Sequence, residues 1–341
     1  MFERILVPLD GSTRAEAALP IAARVARATG SSVVLLQVTS PPMSDGMIYG
    51  YGSGLSMGYG GGLDMSYGYG SGQGATSTIS ESVGEREETE AAAYLTRIAR
   101  SDLFEGIATT TEVDVGSPAP QILALAEQSS VNLIILCSHG RTGLTRWVLG
   151  SVAQRVIHHS HVPVLVLREG GSALTTTGRP LRAVVAVDGS PIAETALLPA
   201  AHLVAALSQH TQGVLHLLHV VKPYMSLSDE DAISHHDREE VEQAQVYLQR
   251  VRERLLEQTS DLNLQITWSA TLAQDAAETI VTTAEKGTES PGEKGCDVLA
   301  MATHGRGGIE HWVMGSVTER VLEATTLPML VIRPSQGLHN T

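Results

Sequence analysis

Apolar residues along the chain follow two alternating patterns, and the whole succession occurs twice. Ile5, Leu6 and Val7 form an unbroken apolar run that stops at Asp10-Gly11-Ser12. A short continuous run closed by a turn signal predicts a strand buried on both faces, as in parallel sheets. Ala18, Ile21, Ala22 and Val25 then recur at helical spacing and predict an amphipathic helix. The second copy runs from Ala183 to Val187, breaks at Asp188-Gly189-Ser190, and supplies Pro191 for a first helical turn.

Both copies continue in step. Second strands are predicted over 33–38 and 214–220. Helices follow, one with Ala91, Leu95, Ile98 and Ala99 on a single face, the other longer, with Val241, Ala244, Leu248, Val251 and Leu255. Third strands over 111–115 and 265–271 lead into helices over 121–128 and 278–286. Fourth strands fall at 131–136 and 297–301, and fifth strands at 162–167 and 327–332. Strands and helices that alternate and match element for element predict an α/β protein of two tandem doubly wound, Rossmann-like domains. Each is a five-stranded parallel sheet flanked by helices. The domains are expected over 1–168 and 181–334, with a Gly-, Ser- and Thr-rich linker over 169–180 and a tail over 335–341. One stretch departs from the pattern. Residues 41–78 carry Tyr-Gly pairs at Tyr49, Tyr51, Tyr59, Tyr67 and Tyr69, with almost no charge and no apolar period, and are expected to form a flexible inserted loop, with a self-associating interface as the alternative.

Composition narrows the function classes. A chain of 341 residues is long enough for two domains with their own cores. No apolar run approaches the roughly 20 residues of a membrane helix, and the strand-like start leaves no room for a signal peptide, so a cytoplasmic protein without a membrane partner is expected. A net charge of −14 opposes binding to a nucleic-acid backbone. The two cysteines, Cys137 and Cys296, lie at or beside predicted buried strands and read as reduced packing residues.

Candidate chemistry lies after each fourth strand. Ser138-His139-Gly140-Arg141-Thr142-Gly143 leads through Gly150-Ser151-Val152 into a helical pattern, and Thr303-His304-Gly305-Arg306-Gly307-Gly308 leads through Gly315-Ser316-Val317 into another. Strand, glycine loop and helix start in that order place backbone N–H groups where an anion can sit. Gly140 and Gly143 lack a Cβ and allow positive φ and close approach of a ligand. Ser151 and Ser316 read as N-caps, with Gln154 and Glu319 completing capping boxes. The plain alternative is a tight turn with nothing bound, and the second copy in the same context argues against coincidence. Asp10 and Asp188 end the first strands, at the edge where open α/β sheets bind ligands, although either can equally serve the turn itself. His158, His159 and His161 cluster in sequence, but adjacent helix positions do not face one another, so no metal site is expected. There is no G-x-x-x-x-G-K-[S/T] loop and no Gly-x-Ser-x-Gly elbow. Support for catalysis is slight, at most a slow ATPase.

The doubled stretch resembles the nucleotide loop of the universal stress protein family, G-x-x-G followed by nine residues and G-[S/T]. Gly140 with Gly150-Ser151, and Gly305 with Gly315-Ser316, match its later part; Cys137 and Ala302 stand where the family has its first glycine. The resemblance covers nearly the whole chain. It implies strand order 3-2-1-4-5 in each half, and pairing of the halves through their fifth strands as in the family dimer, with homo-oligomers also open. It implies binding of ATP or another adenine nucleotide, with or without Mg2+, in a stress or regulatory role. The implied site residues of the first half are Pro8, Asp10, Val38, Cys137, Ser138, His139, Gly140, Arg141, Gly143, Gly150, Ser151 and Val152. Those of the second are Ala186, Asp188, Val220, Ala302, Thr303, His304, Gly305, Arg306, Gly308, Gly315, Ser316 and Val317. Within these sets, Pro8, Val38 and Val220 would lie by the adenine, Asp10 and Asp188 by adenine and ribose, and the glycine stretches by the phosphates. The alternative function is a stress protein that binds no nucleotide and acts as an interaction scaffold.

Overall fold

The structure is a computed structural model. It describes residues 1–40, 73–138, 149–168, 174, 180–209, 211–223, 230–287, 295–303 and 314–333, with side chains from residue 84 and from residue 235 in the two longest helices. The first half contains β1 (Arg4–Leu9), α1 (Thr13–Glu16), α2 (Ala18–Thr29), β2 (Ser32–Thr39), α3 (Gln73–Ala99), a single 3-10 turn (Asp102–Phe104), β3 (Thr109–Val115), α4 (Pro118–Gln128), β4 (Leu133–Cys137), α5 (Ser151–His159) and β5 (Val164–Leu167). The second half repeats the order as β6 (Arg182–Ala186), α6 (Pro191–Glu194), α7 (Leu197–Ser208), β7 (Gly213–Val221), α8 (Glu230–Gln258), β8 (Leu264–Leu272), α9 (Ala276–Lys286), β9 (Val298–Ala302), α10 (Ser316–Ala324) and β10 (Met329–Ile332).

Among the described residues, ten strands join one sheet in the order β3-β2-β1-β4-β5-β10-β9-β6-β7-β8. Within each half the order is 3-2-1-4-5 and every pairing is parallel. The halves meet where β5 and β10 run antiparallel, with Leu165 opposite Leu330 and Val164 opposite Val331. Strands covered on both faces need apolar side chains at every position, which is why the sequence shows runs rather than alternation. One face of the sheet packs under α2, α3, α7 and α8, and the other under α4, α5, α9 and α10; each of these two cores includes residues of both halves.

Several boundaries and contacts differ from the sequence reading. Helix α3 begins at Gln73, inside the stretch expected to be a loop. Its grip on the sheet comes from Ala91, Leu95 and Ile98, all buried. A helix nucleated by that packed end extends towards its N-terminus at small cost per residue, without an apolar stripe of its own. The remainder of that stretch, with all five of its tyrosines, lies outside the described residues. In the segment expected to be a linker, Leu174 is fully buried in the α2/α7 core and its carbonyl accepts a hydrogen bond from Arg24. Residues 191–208 are apolar enough for a membrane helix by composition. Here they form α6 and α7, separated by Thr195-Ala196, and α7 packs against α2 and β7.

Candidate functional site

In each half the strand order reverses beside the first strand: β1 lies between β2 and β4, and β6 between β7 and β9. The crevice at the carboxyl ends of the strands at such a switch point is where open α/β sheets bind ligands. Asp10 and Cys137-Ser138 end β1 and β4, while Asp188 and Ala302-Thr303 reach the equivalent place in the second half.

The two aspartates build the turns that follow them. Asp10 Oδ1 accepts the N–H of Ser12 at 3.0 Å, and Gly11 takes φ 78° to allow the bend. Ser12 Oγ then accepts the N–H of Ala15 at 3.2 Å and starts α1. In the second half, Asp188 Oδ1 accepts both the N–H of Ser190 at 3.0 Å and its hydroxyl at 2.7 Å, with Gly189 at φ 84° and Ser190 capping Ala193 at 3.1 Å. The turn-forming role is therefore real in both copies, and it fixes each carboxylate at the strand edge. Pro8 is half-buried near the end of β1, where Ala186, buried, replaces it in β6. Val38 and Val220 are half-buried and pack on the core under α4, α5, α9 and α10. Leu149, just before α5, packs on the same core and so comes to the same face as Val38.

The glycine stretches are closed at their bases by backbone. Ser138 N–H donates to the Leu167 carbonyl at 2.8 Å, and Gly150 N–H donates to the Ser138 carbonyl at 2.7 Å. Thr303 donates to Ile332 at 2.8 Å, and Gly315 to Thr303 at 2.7 Å. His139, Gly140, Arg141 and Gly143, and likewise His304, Gly305, Arg306 and Gly308, lie outside the described residues. The expected capping boxes are not formed. Gly150 and Gly315, in extended conformation, are the N-caps of α5 and α10, and Ser151 and Ser316 are the first helical residues, both exposed. Closing the loop on the Ser138 and Thr303 carbonyls sets the cap one residue earlier than the local Ser-x-x-Gln and Ser-x-x-Glu signals suggest. Among the described residues no side chain caps either helix, whereas Ser12, Ser190 and Asp275 do so for α1, α6 and α9. A glycine cap leaves the first turn of α5 and of α10 suited to an acceptor from outside the chain. Val152 is exposed beside it and Val317 half-buried.

Cys137 contributes no reactive thiolate. Burial pushes its thiol up to about 12, with the charge of Asp10 acting in the same direction, and its Sγ contacts the Ala15 carbonyl at 3.8 Å. Cys137 and Cys296 are not joined in a disulfide. Half-buried His158 is held below the usual histidine range, chiefly by burial. Among the described residues no three His, Cys, Asp or Glu side chains converge as a metal site would require.

A feature absent from the sequence reading is a tyrosine pin in each half. Tyr94 Oη of α3 donates to Glu16 Oε1 at 3.0 Å, and Tyr247 Oη of α8 donates to Glu194 Oε1 at 3.0 Å. Arg97 stacks over the Tyr94 ring at 5.5 Å, and Arg254 pairs with Glu194. Desolvation, first, and these carboxylates push both phenols above the ordinary range. The signal was available: a glutamate stands six residues after the strand-ending aspartate in each copy. Buried His216 also escaped notice; its ring nitrogens meet Thr267 Oγ1 at 2.9 Å and Ser269 Oγ at 2.8 Å, a satisfied core histidine.

The chain matches the universal stress protein family over residues 1–54, 65–168 and 181–333. It is 45% identical over 64 residues to the universal stress protein MJ0531 of Methanocaldococcus jannaschii, a match covering 19% of this chain and 38% of that relative. A universal stress protein of Mycolicibacterium smegmatis is 23% identical over 331 residues, 97% of each chain. The crystal structure of a universal stress protein from Archaeoglobus fulgidus superposes with a TM-score of 0.59 at 17% identity, covering 97% of this chain and 98% of that one. The family match falls on both copies of the doubled α/β unit, and the chain belongs to the universal stress protein family.

Proposed function

We propose that each half binds an adenine nucleotide across the carboxyl ends of its first and fourth strands, and that the protein acts in stress response or regulation in the cytoplasm. The observation that carries this reading is the doubled site: at each switch point a glycine-capped helix start, with no side-chain acceptor among the described residues, lies on the same sheet edge as a fixed aspartate turn. The residues present suit such a ligand. Helix N-termini and the Gly140 and Gly305 loops suit phosphates, Val38 and Val220 offer apolar surface for a base, and Asp10 and Asp188 offer acceptors for ribose hydroxyls. ATP is the nucleotide we favour, with Mg2+ offsetting its charge. Binding rather than turnover is the activity we favour. The halves form their own pair within one chain, and neither nucleic acid nor membrane is a partner in this reading.

One observation favours a scaffold without nucleotide: Cys137 and Ala302 place side chains where the family loop has glycine. The two readings separate in one experiment. Gently purified protein is denatured and the released small molecules are identified by mass spectrometry. Adenine nucleotide at one per half supports the proposal. None released, with no calorimetric heat on adding ATP and Mg2+, favours the scaffold.

A further inference from the structure

The fifth strands do more than join the sheet. Each is followed at once by an arginine that reaches into the other half. Arg168, after β5, donates to the Leu322 carbonyl in the last turn of α10, and Arg333, after β10, donates from Nη1 to the His158 carbonyl in the last turn of α5 at 2.9 Å. Cationic donors at helix C-termini satisfy the carbonyls left over there and complement the dipole. The helices they grip are the two that begin at the glycine loops.

These contacts close into a ring. Ser138, at the base of the first loop, is bonded to Leu167, the neighbour of Arg168. Arg168 holds the end of α10, whose first residue follows Gly315, and Gly315 is bonded to Thr303 at the base of the second loop. Thr303 is bonded to Ile332, the neighbour of Arg333, which holds the end of α5. Helix α5 starts after Gly150, and Gly150 returns to Ser138. Apart from the Arg168 contact, the links run from 2.7 to 2.9 Å, and none of the contacts involves a carboxylate.

We propose that the two sites are coupled: a ligand seated on the first turn of α5 or α10 shifts that helix along its axis, and the cross-seam arginines pass the shift to the base of the opposite loop. This inference rests on nucleotide binding as proposed above. A nine-residue helix moves as one rigid rod, so a displacement at its start is delivered at its end. Coupling of this kind is reciprocal: each site changes the affinity of the other by the same factor.

The test uses the full chain with ATP and Mg2+ as probe, read by isothermal titration calorimetry. Ser151→Glu and Ser316→Glu each place a carboxylate at a helix start, which suits the dipole and repels phosphate, leaving one site to be measured alone. The coupling factor is the affinity of one site with the other filled, in the parent, relative to its affinity with the other blocked. We expect a factor between about 5 and 150 in the parent. In the Arg168→Met, Arg333→Met background it falls to one, while the single-site affinities change by less than about two-fold, within the ±0.5 kcal/mol of an uninvolved substitution. Strands β5 and β10 and the α2–α7 packing hold the halves together without the arginines, so the variant should fold. If it does not, Arg333→Lys, which keeps charge but loses the guanidinium fork, is expected to lower the factor. Independent sites in the parent, or coupling that survives loss of both arginines, overturns the proposal while leaving nucleotide binding intact. Absence of binding in the parent and in both single-site variants overturns the two together.

Discussion

Because both cores run through both halves, the chain should melt as one unit, and the seam is the place to test this. Leu330 of β10 is fully buried and lies opposite Leu165 of β5, also fully buried. Leu330→Ala removes apolar atoms from a site closed on all sides, a change that costs about 2–5 kcal/mol. Unfolding entropy of about 2.1 cal/mol/K per residue, over 341 residues, comes to roughly 0.7 kcal/mol/K. The midpoint should therefore fall by about 3–7 °C if the whole chain unfolds together. Differential scanning calorimetry reads both the shift and the cooperativity. The expected result is a single transition whose calorimetric and van't Hoff enthalpies agree, displaced as a whole. Leu165→Ala should give a similar displacement, and the double variant should lose less than the sum, since cross-strand partners share the cavity. Two resolved transitions, with Leu330→Ala lowering one and leaving the other in place, would refute a common core.

Three further expectations concern residues around the candidate site. Tyr94→Phe and Tyr247→Phe each remove a hydrogen bond to a carboxylate and should each cost about 1–2 kcal/mol in urea unfolding. Both phenols are raised in the folded protein, so their contribution is complete below the ordinary tyrosine pKa of about 10 and is lost as pH rises above it. Parent stability should then decline above about pH 10, less steeply in the double phenylalanine variant, and equal slopes would discard the pins. Ser12→Ala, which removes a true cap, should cost about 1 kcal/mol, whereas Ser151→Ala should stay within about 0.5 kcal/mol; equal losses would restore Ser151 as a cap. In a Cys296→Ser background, Cys137 should resist thiol reagents at pH 8 until denaturant is added, because burial keeps it protonated. Rapid labelling of the native protein would contradict that environment.

Much of the architecture was legible because parallel strands covered on both faces leave unbroken apolar runs, and because duplication let each weak signal be read twice. Asp10-Gly11-Ser12 and Asp188-Gly189-Ser190 located the switch points for the same reason. The capping boxes misled because Ser151 and Gln154 satisfy a local rule, while the position of the cap was decided by Gly150 closing on Ser138. The contacts that join the halves left no local trace. Arg24 meets Leu207 across 183 positions, Arg168 meets Leu322 across 154, and Arg333 meets His158 across 175. Each acceptor is a backbone carbonyl, so no complementary residue type marks the partner in the sequence. Val38 and Val220 illustrate a further limit, since a valine facing the core and a valine facing a ligand are the same letter.

Joining β5 to β10 inside one polypeptide also changes what dilution can do. Two separate chains meeting at such a seam would part as their concentration fell, whereas tethered halves see each other at an effective concentration on the order of millimolar whatever the bulk concentration. The tether also fixes which surface meets which. One half always faces the other and never a second copy of itself, so the two can differ without spoiling their fit. They already do: Pro8 of the first half corresponds to Ala186 of the second, and Gln37 to His219, in an otherwise repeated sheet.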